Sequence, residues 1–153
     1  MKKIVYTIII FLFINCDSEN GSDCFKKEGA IVRRELDVAQ FNEIIVFERV
    51  QLFIEEGPIQ KIILESGENL IDNVEIAVEG AQLILKDNNA CNYVRDYDIT
   101  KVYITSPNLT SIRNSSSFEV TSIGVLSFPK LALYSENFEN ENKWMLNYEF
   151  DLR

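Results

Sequence analysis

The chain has 153 residues, 46% of them hydrophobic and 25% charged, with a formal net charge of −9 at pH 7 and no histidine. That length fits one domain, and so acidic a surface repels nucleic acid and anionic membrane faces, which excludes nucleic acid as a partner. The missing imidazole excludes Ser-His-Asp and Cys-His catalysis and the zinc sites that depend on histidine, and neither a GxGxxG nor a GxxxxGK phrase is present to cradle phosphates.

Lys2 and Lys3 precede an apolar run from Ile4 to Ile14, interrupted only by Tyr6 and Thr7. As a helix this run would be roughly 16 Å long, against a bilayer core of about 30 Å. It therefore reads as the core of a signal peptide over residues 1–15 and not as a permanent span. Phe13-Ile14-Asn15-Cys16 resembles the lipobox of bacterial lipoproteins, with Asn15 standing where that motif carries Gly, Ala or Ser. The resemblance implies cleavage before Cys16 and a diacylglyceryl thioether on its sulfur, and each buried CH2 of the acyl chains would contribute about 0.8 kcal/mol to anchoring. Cleavage would remove Lys2 and Lys3 and take the formal charge from −9 to −11. Residues 16–23 contain nothing apolar after Cys16 and read as a flexible acidic tether. Of three cysteines, lipidation accounts for one. Cys24 and Cys91 remain, either as a disulfide in an oxidising compartment, worth up to about 4 kcal/mol, or as two buried thiols.

From Ala30 onward ten short segments follow: IVRREL, FNEIIVF, VQLFIEE, IQKIILES, VEIAVEG, QLILKD, KVYITS, LTSIRN, FEVTS and LALYS. Most alternate apolar and polar at period two and are rich in Val, Ile, Phe and Tyr, which predicts strands; no window carries the i, i+3, i+4, i+7 pattern of a helix. Gly57-Pro58, Ser66-Gly67, Glu79-Gly80, Asp87-Asn88-Asn89 and Pro107-Asn108 fall between them and are turn formers. The Ser115-Ser116-Ser117 run after Asn114 reads as another turn. An all-β chain with this spacing fits a sandwich, a barrel or a solenoid.

The stretches CFKKEG, FNEIIVFERVQLFIEEG and KIILESGENLIDNVEIAVEGAQLILKDNNACNYVRDYDITKVYITSPNLTSIRNSS are similar to the head GIN domain family of auto-transporter adhesins, found mostly in Bacteroidetes. The likeness runs from about Cys24 to about Glu136. Its most specific elements are Gly67-Glu68-Asn69-Leu70, NNACNYVRDYD and the phrase from Tyr103 to Leu109. It implies a right-handed parallel β-helix, or solenoid, preceded by a mixed N-terminal sheet region, and it brings no established activity with it. Cys24 and Cys91 fall on positions that match the family's cysteine-containing variants, which favours their pairing. Asp17 and Glu19 resemble the acidic export signal of surface lipoproteins in that phylum. The resemblance fades into SENFENENKWMLNYEFDLR, so the solenoid is expected to be incomplete at its C-terminus. Trp144, Met145, Leu146, Tyr148, Phe150 and Leu152 are expected to fold back as a strand or short helix over the last rung. Pairing with an identical edge is less favoured, because Glu136, Glu139 and Glu141 would repel across it.

Three groups of residues carry candidate chemistry. Glu55, Glu56, Asp96 and Asp98 could supply a carboxylate pair for sugar chemistry, although solvated strand ends account for them as well. Asp87, Asn88, Asn89, Asp96 and Asp98 gather hard oxygens around Cys91, but their spacing fits no calcium loop, so no metal and no cofactor is expected. Tyr93, Arg95, Asp96, Tyr97 and Asp98 form the one candidate ligand surface, for a surface glycan or a protein partner. The triplets at Asn108 and Asn114 match the N-glycosylation pattern by chance. The layout expected is a signal peptide at 1–15, a tether at 16–23 and a β-domain at 24–153. The function expected is a lipid-anchored outer-membrane module, displayed at the cell surface, that binds, adheres or supports without catalysis. The alternative is a polysaccharide-binding or polysaccharide-active protein.

Overall fold

The computed structural model describes residues 25–89, 94, 96 and 98–135, together with the backbone of 147–150. Each of the ten expected segments holds one strand. They are β1 (Ile31–Leu36), β2 (Glu43–Phe47), β3 (Gln51–Glu56), β4 (Lys61–Gly67), β5 (Val74–Glu79), β6 (Gln82–Asp87), β7 (Lys101–Ser106), β8 (Ser111–Ser115), β9 (Val120–Ile123) and β10 (Leu131–Ser135), followed by β11 (Asn147–Phe150). A 3-10 turn at Ile71–Asn73 links β4 to β5.

The strands divide between two sheets. Sheet A runs in the order β1-β4-β7-β3-β9 and sheet B in the order β11-β10-β8-β2-β6-β5. The period-two pattern explains how they close on each other. Leu52, Ile54, Ile62, Leu64, Val102 and Ile104 point inward from sheet A, and Ile44, Val46, Leu83, Leu85 and Ile112 point inward from sheet B; all are buried. Leu109, Phe128, Val50 and Phe41, from the connections, complete the core. Register is pinned because a one-residue slip would turn an entire strand's apolar set to solvent.

The closed parallel β-helix implied by the family resemblance does not form among the described residues; the fold is a mixed sandwich. β2, β8, β10 and β6 are mutually parallel, as are β3, β7 and β9, but β4 is antiparallel to both β1 and β7, and β5 is antiparallel to β6. Local chemistry shows why. Glu79 pairs with Gln82 across a two-residue turn whose first residue, Gly80, has φ +63°, a conformation that glycine adopts without steric cost. Such a hairpin can only be antiparallel. The parallel ladders arise where consecutive strands lie in opposite sheets, as with β2 and β3, or with β7, β8, β9 and β10.

At the C-terminal side, β11 folds back antiparallel on β10, with Leu131 opposite Phe150 and Tyr134 opposite Asn147. The tail therefore extends sheet B as a strand. The serine run forms a turn, as its sequence predicts: Asn114 Oδ1 accepts from the Ser116 backbone N–H at 3.0 Å, and Ser116 Oγ donates to Val50 O at 2.8 Å.

Candidate functional site

The outward positions of sheet B bring together a polar cluster that is scattered in sequence. Since Ile44, Leu83 and Ile112 face inward, their neighbours face out. Gln82, Glu43, Ser111 and Ala132 then form one row across β6, β2, β8 and β10, and Ile84, Ile45, Arg113 and Tyr134 form the next. Gln82 Nε2 donates to Glu43 Oε2 at 3.4 Å. The Arg113 guanidinium lies 5.1 Å from the centroid of the Tyr134 ring, a cation-π contact that holds both side chains. Thr110 and the exposed Lys130 border the same depression, which encloses about 410 Å³ and has Ile45 and Ala132 as its apolar floor. That volume falls within the usual range of small-molecule sites.

The outer face of sheet A is differently made. Phe53 and Tyr103 stand opposite each other and stack at 4.8 Å with 14° between the rings. Arg33 lies over Tyr103 at 5.5 Å and also donates from Nε to Glu65, while Lys101 Nζ sits 3.8 Å from the other Glu65 oxygen. Lys61 and Glu35 pair at 2.8 Å. Glu65, by its hydrogen bond first and its charge second, raises the pKa of Arg33 above the ordinary guanidinium value. The charges on this face are paired with one another, as expected of a cross-strand ladder.

A third feature is an apolar cleft of about 550 Å³ between the sheets, lined by Ile54, Ile112, Val120, Leu126, Leu131 and Leu133. It opens where sheet A ends at β9 while sheet B continues through β10 and β11.

The residues singled out from sequence are placed as follows. Asp87 does not present a calcium ligand to solvent. It points inward, where Oδ1 accepts from Asn89 N at 2.8 Å and Asn89 Nδ2 at 2.7 Å, and Oδ2 accepts from Thr100 Oγ1 at 2.7 Å. Thr100 Oγ1 also lies 3.0 Å from Ser66 Oγ, and Asn89 Nδ2 donates to Leu70 O. Asn88 faces outward and donates to Glu75. Asp96 and Asp98 are exposed. Among the described residues no group of three carboxylates or thiols is placed to hold a metal ion. Glu55 and Glu56, adjacent on β3, point to opposite sides of sheet A, and Glu56 Oε2 accepts the backbone N–H of Ser127. They cannot flank one glycosidic bond. Cys16, Cys24, Cys91, Tyr93, Arg95 and Tyr97 lie outside the described residues.

The comparisons with known proteins bear on these features. The family profile described as "putative auto-transporter adhesin, head GIN domain" matches residues 40–142. The chain belongs to the head GIN domain family. Among solved structures it is similar to a putative adhesin from Bacteroides fragilis (22% identity, TM-score 0.53, covering 60% of this chain and 42% of that one). It is also similar to putative adhesins from Parabacteroides merdae (17%, TM-score 0.52, 69% and 44%) and Parabacteroides distasonis (20%, TM-score 0.52, 70% and 53%). The chain thus spans about half the length of these structures, and identities this low speak for the fold alone. No curated protein matches. The family's Gly67-Glu68-Asn69-Leu70 phrase has a local cause in this head GIN domain. A side chain at Gly67 would come within 2.2 Å of Glu28 O, and Glu68 N and Asn69 N donate to Ala30 O and Glu28 O, docking the N-terminal segment on the end of β4.

The sheet B cluster carries no local motif. Glu43, Gln82, Arg113 and Tyr134 are separated by tens of residues, and the only trace in sequence is that each sits at an outward step of its strand's alternation.

Proposed function

We propose that this head GIN domain is a non-enzymatic binding module of the cell envelope, tethered by a lipid on Cys16 through residues 16–23 after removal of residues 1–15, with a domain at 24–153 that meets its ligand on the outer face of sheet B. The observation that carries this reading is the register that places Gln82, Glu43, Arg113 and Tyr134 side by side on four parallel strands, around a depression floored by Ile45 and Ala132. Rigid strands hold such groups in place with little entropy left to lose on binding. Membership of an adhesin family and the lipobox-like Phe13-Ile14-Asn15-Cys16 support an envelope address at the outer membrane and its surface.

The test has two arms. Wild-type protein should enter the detergent phase and be shaved from intact cells by added protease, whereas Cys16→Ser should stay in the aqueous phase or persist as a precursor. Unchanged mass and partitioning in Cys16→Ser would refute the anchor. In the second arm, a glycan and envelope-protein array probed with the full chain should give binding without turnover. Product formation from any retained glycan would overturn the non-enzymatic reading.

A further inference from the structure

We infer that the free edge of β1 is an interface with a second copy of this chain, the two β1 strands pairing antiparallel about a two-fold axis through Arg34 and joining two copies of sheet A into one. β1 is paired on one side, by β4, and among the described residues no strand lies along its other side. The Glu68 N–H donates to Ala30 O in the same register that sets Ile31 opposite Gly67. Bonds in an antiparallel ladder fall on alternate residues, so Val32, Arg34 and Leu36 turn their N–H and C=O groups to β4, and Ile31, Arg33 and Glu35 turn theirs outward. Such an edge is a template for another strand unless its side chains repel one.

The side chains select both the occupant and the register. A two-fold axis that lets the outward backbone groups meet must cross β1 at a residue and not between two. At Arg33 or at Glu35 it would set like charges opposite each other. At Arg34 it sets Arg33 opposite Glu35 of the second copy, and Glu35 opposite Arg33 of the second copy, on the outer face, where opposite charges across strands attract. Their partners within the chain, Glu65 and Lys61, leave these two side chains 66% and 65% exposed, so both are open to a second ion pair. On the inward face the same register sets Val32 against Leu36 of the second copy, extending the core on which both residues pack. Arg34 meets its counterpart there, but each is held at 3.0 Å by Asp72 of its own chain, which offsets the repulsion. The other edges lack this pattern. On β5, Glu75 and Glu79 alternate with the inward Ile76 and Val78 and carry one sign, a device that blunts an edge, and β9 has no charged residue. Pairing along β1 covers neither outer face. On the reading of sheet B as the binding face, each dimer therefore presents two sites to a ligand repeated along a surface.

Sedimentation equilibrium of the full chain in density-matched neutral detergent should show a monomer–dimer equilibrium. Arg33→Glu and Glu35→Arg should each raise the dimer Kd at least about tenfold, because both pairs then oppose like charges. An equimolar mixture of the two variants should recover wild-type affinity, since every pair in the mixed dimer is again of opposite sign. The axis also sets residue 34 of the two copies directly opposite, with Cα atoms roughly 4.5 Å apart, within the range that a disulfide spans. Arg34→Cys should therefore give a reducible dimer under mild oxidation, above the wild-type background, whereas Ile31→Cys, which faces Asp37 of the second copy, should not. A wild type that stays monomeric, a mixture no tighter than its components, or crosslinking of Arg34→Cys no greater than that of Ile31→Cys overturns the inference. Should a reversed variant lose its native circular dichroism spectrum with its contact to Glu65 or Lys61, the two crosslinking variants alone decide.

Discussion

The two ends of the space between the sheets contrast sharply in chemistry. Toward the β1 and β5 edges it is closed by polar groups that satisfy one another. Asp87 accepts three hydrogen bonds, from Asn89 twice and from Thr100, and Thr100 lies against Ser66, with all four residues buried. Toward β9 and β10 it opens as an apolar cleft of about 550 Å³, where Leu133 is 37% exposed and Val125 is 84% exposed. The same alternation of side chains builds both ends. What differs is that the polar end must be complete to be stable, because a buried group without a partner costs about 1–3 kcal/mol, whereas the apolar end tolerates water at its rim.

Truncating one leucine at each end should expose that difference most strongly. Leu85 is fully enclosed, so Leu85→Ala leaves a cavity and should cost about 4 kcal/mol; Leu131 borders the open cleft, so Leu131→Ala should cost about 2 kcal/mol. Urea unfolding monitored by Trp144 fluorescence and by circular dichroism would measure both. Equal losses would mean that the cleft is packed as tightly as the centre. Next in size is the polar cluster itself. Asp87→Ala strands the donors of Asn89 and Thr100 and should cost about 3 kcal/mol, and Asp87→Asn, which keeps one acceptor oxygen, should cost less than half as much. A null result for Asp87→Ala would show that water replaces the carboxylate and that this end is not closed.

How much of this could be read from sequence depends on the range of the interaction concerned. All ten strands were legible, because period two and turn residues are local signals. Leu83 and Leu85 share a face, and Asp87 continues it at the next even step, so its inward aim was present in the same pattern. The oxygens gathered around Cys91 fit no calcium loop in sequence, and in the fold Asp87 and Asn89 hydrogen-bond each other while Asp87 also accepts from Thr100. The pairing of strands was not legible: whether β4 lies antiparallel to β7 or stacks in parallel depends on contacts between residues about forty positions apart, such as Ile62 with Ile104. A solenoid and a sandwich present the same alternation to the reader. The sheet B depression was hidden for the same reason, since Arg113 and Tyr134 meet only through the β8–β10 register.

Gly67 allows a smaller, more local break at the closed end. It ends β4, and an added Cβ would meet the backbone oxygen of Glu28 at 2.2 Å. Gly67→Ala must push residues 28–30 outward and should cost about 2 kcal/mol, in the range typical of overpacking. Amide exchange should then quicken at Glu68 and Asn69, whose N–H groups donate to Ala30 O and Glu28 O, and remain unchanged across β9 and β10. Acceleration spread evenly over both ends would mean that the two are not independent.

The smallest expected effect on stability lies at the open end and is the more informative for that reason. Val125, 84% exposed, sits on the rim of the cleft after Gly124, whose φ of +84° turns the chain away from β9. Exposed positions away from special features change stability by no more than about 0.5 kcal/mol, so Val125→Ser should leave the urea midpoint within error. The rim nonetheless lines the cleft together with Leu126, Leu131 and Leu133, and apolar surfaces of that kind bind hydrophobic probes. Val125→Ser should therefore lower the fluorescence of a bound anilinonaphthalene dye while folding is unaffected, and Leu133→Ser should lower it further. If the dye signal is absent in the wild type, the cleft is covered in solution, and the contrast between the two ends reduces to one of chemistry alone. If Val125→Ser destabilises the fold by more than about 1 kcal/mol, the rim is packed and the open end is as closed as its counterpart.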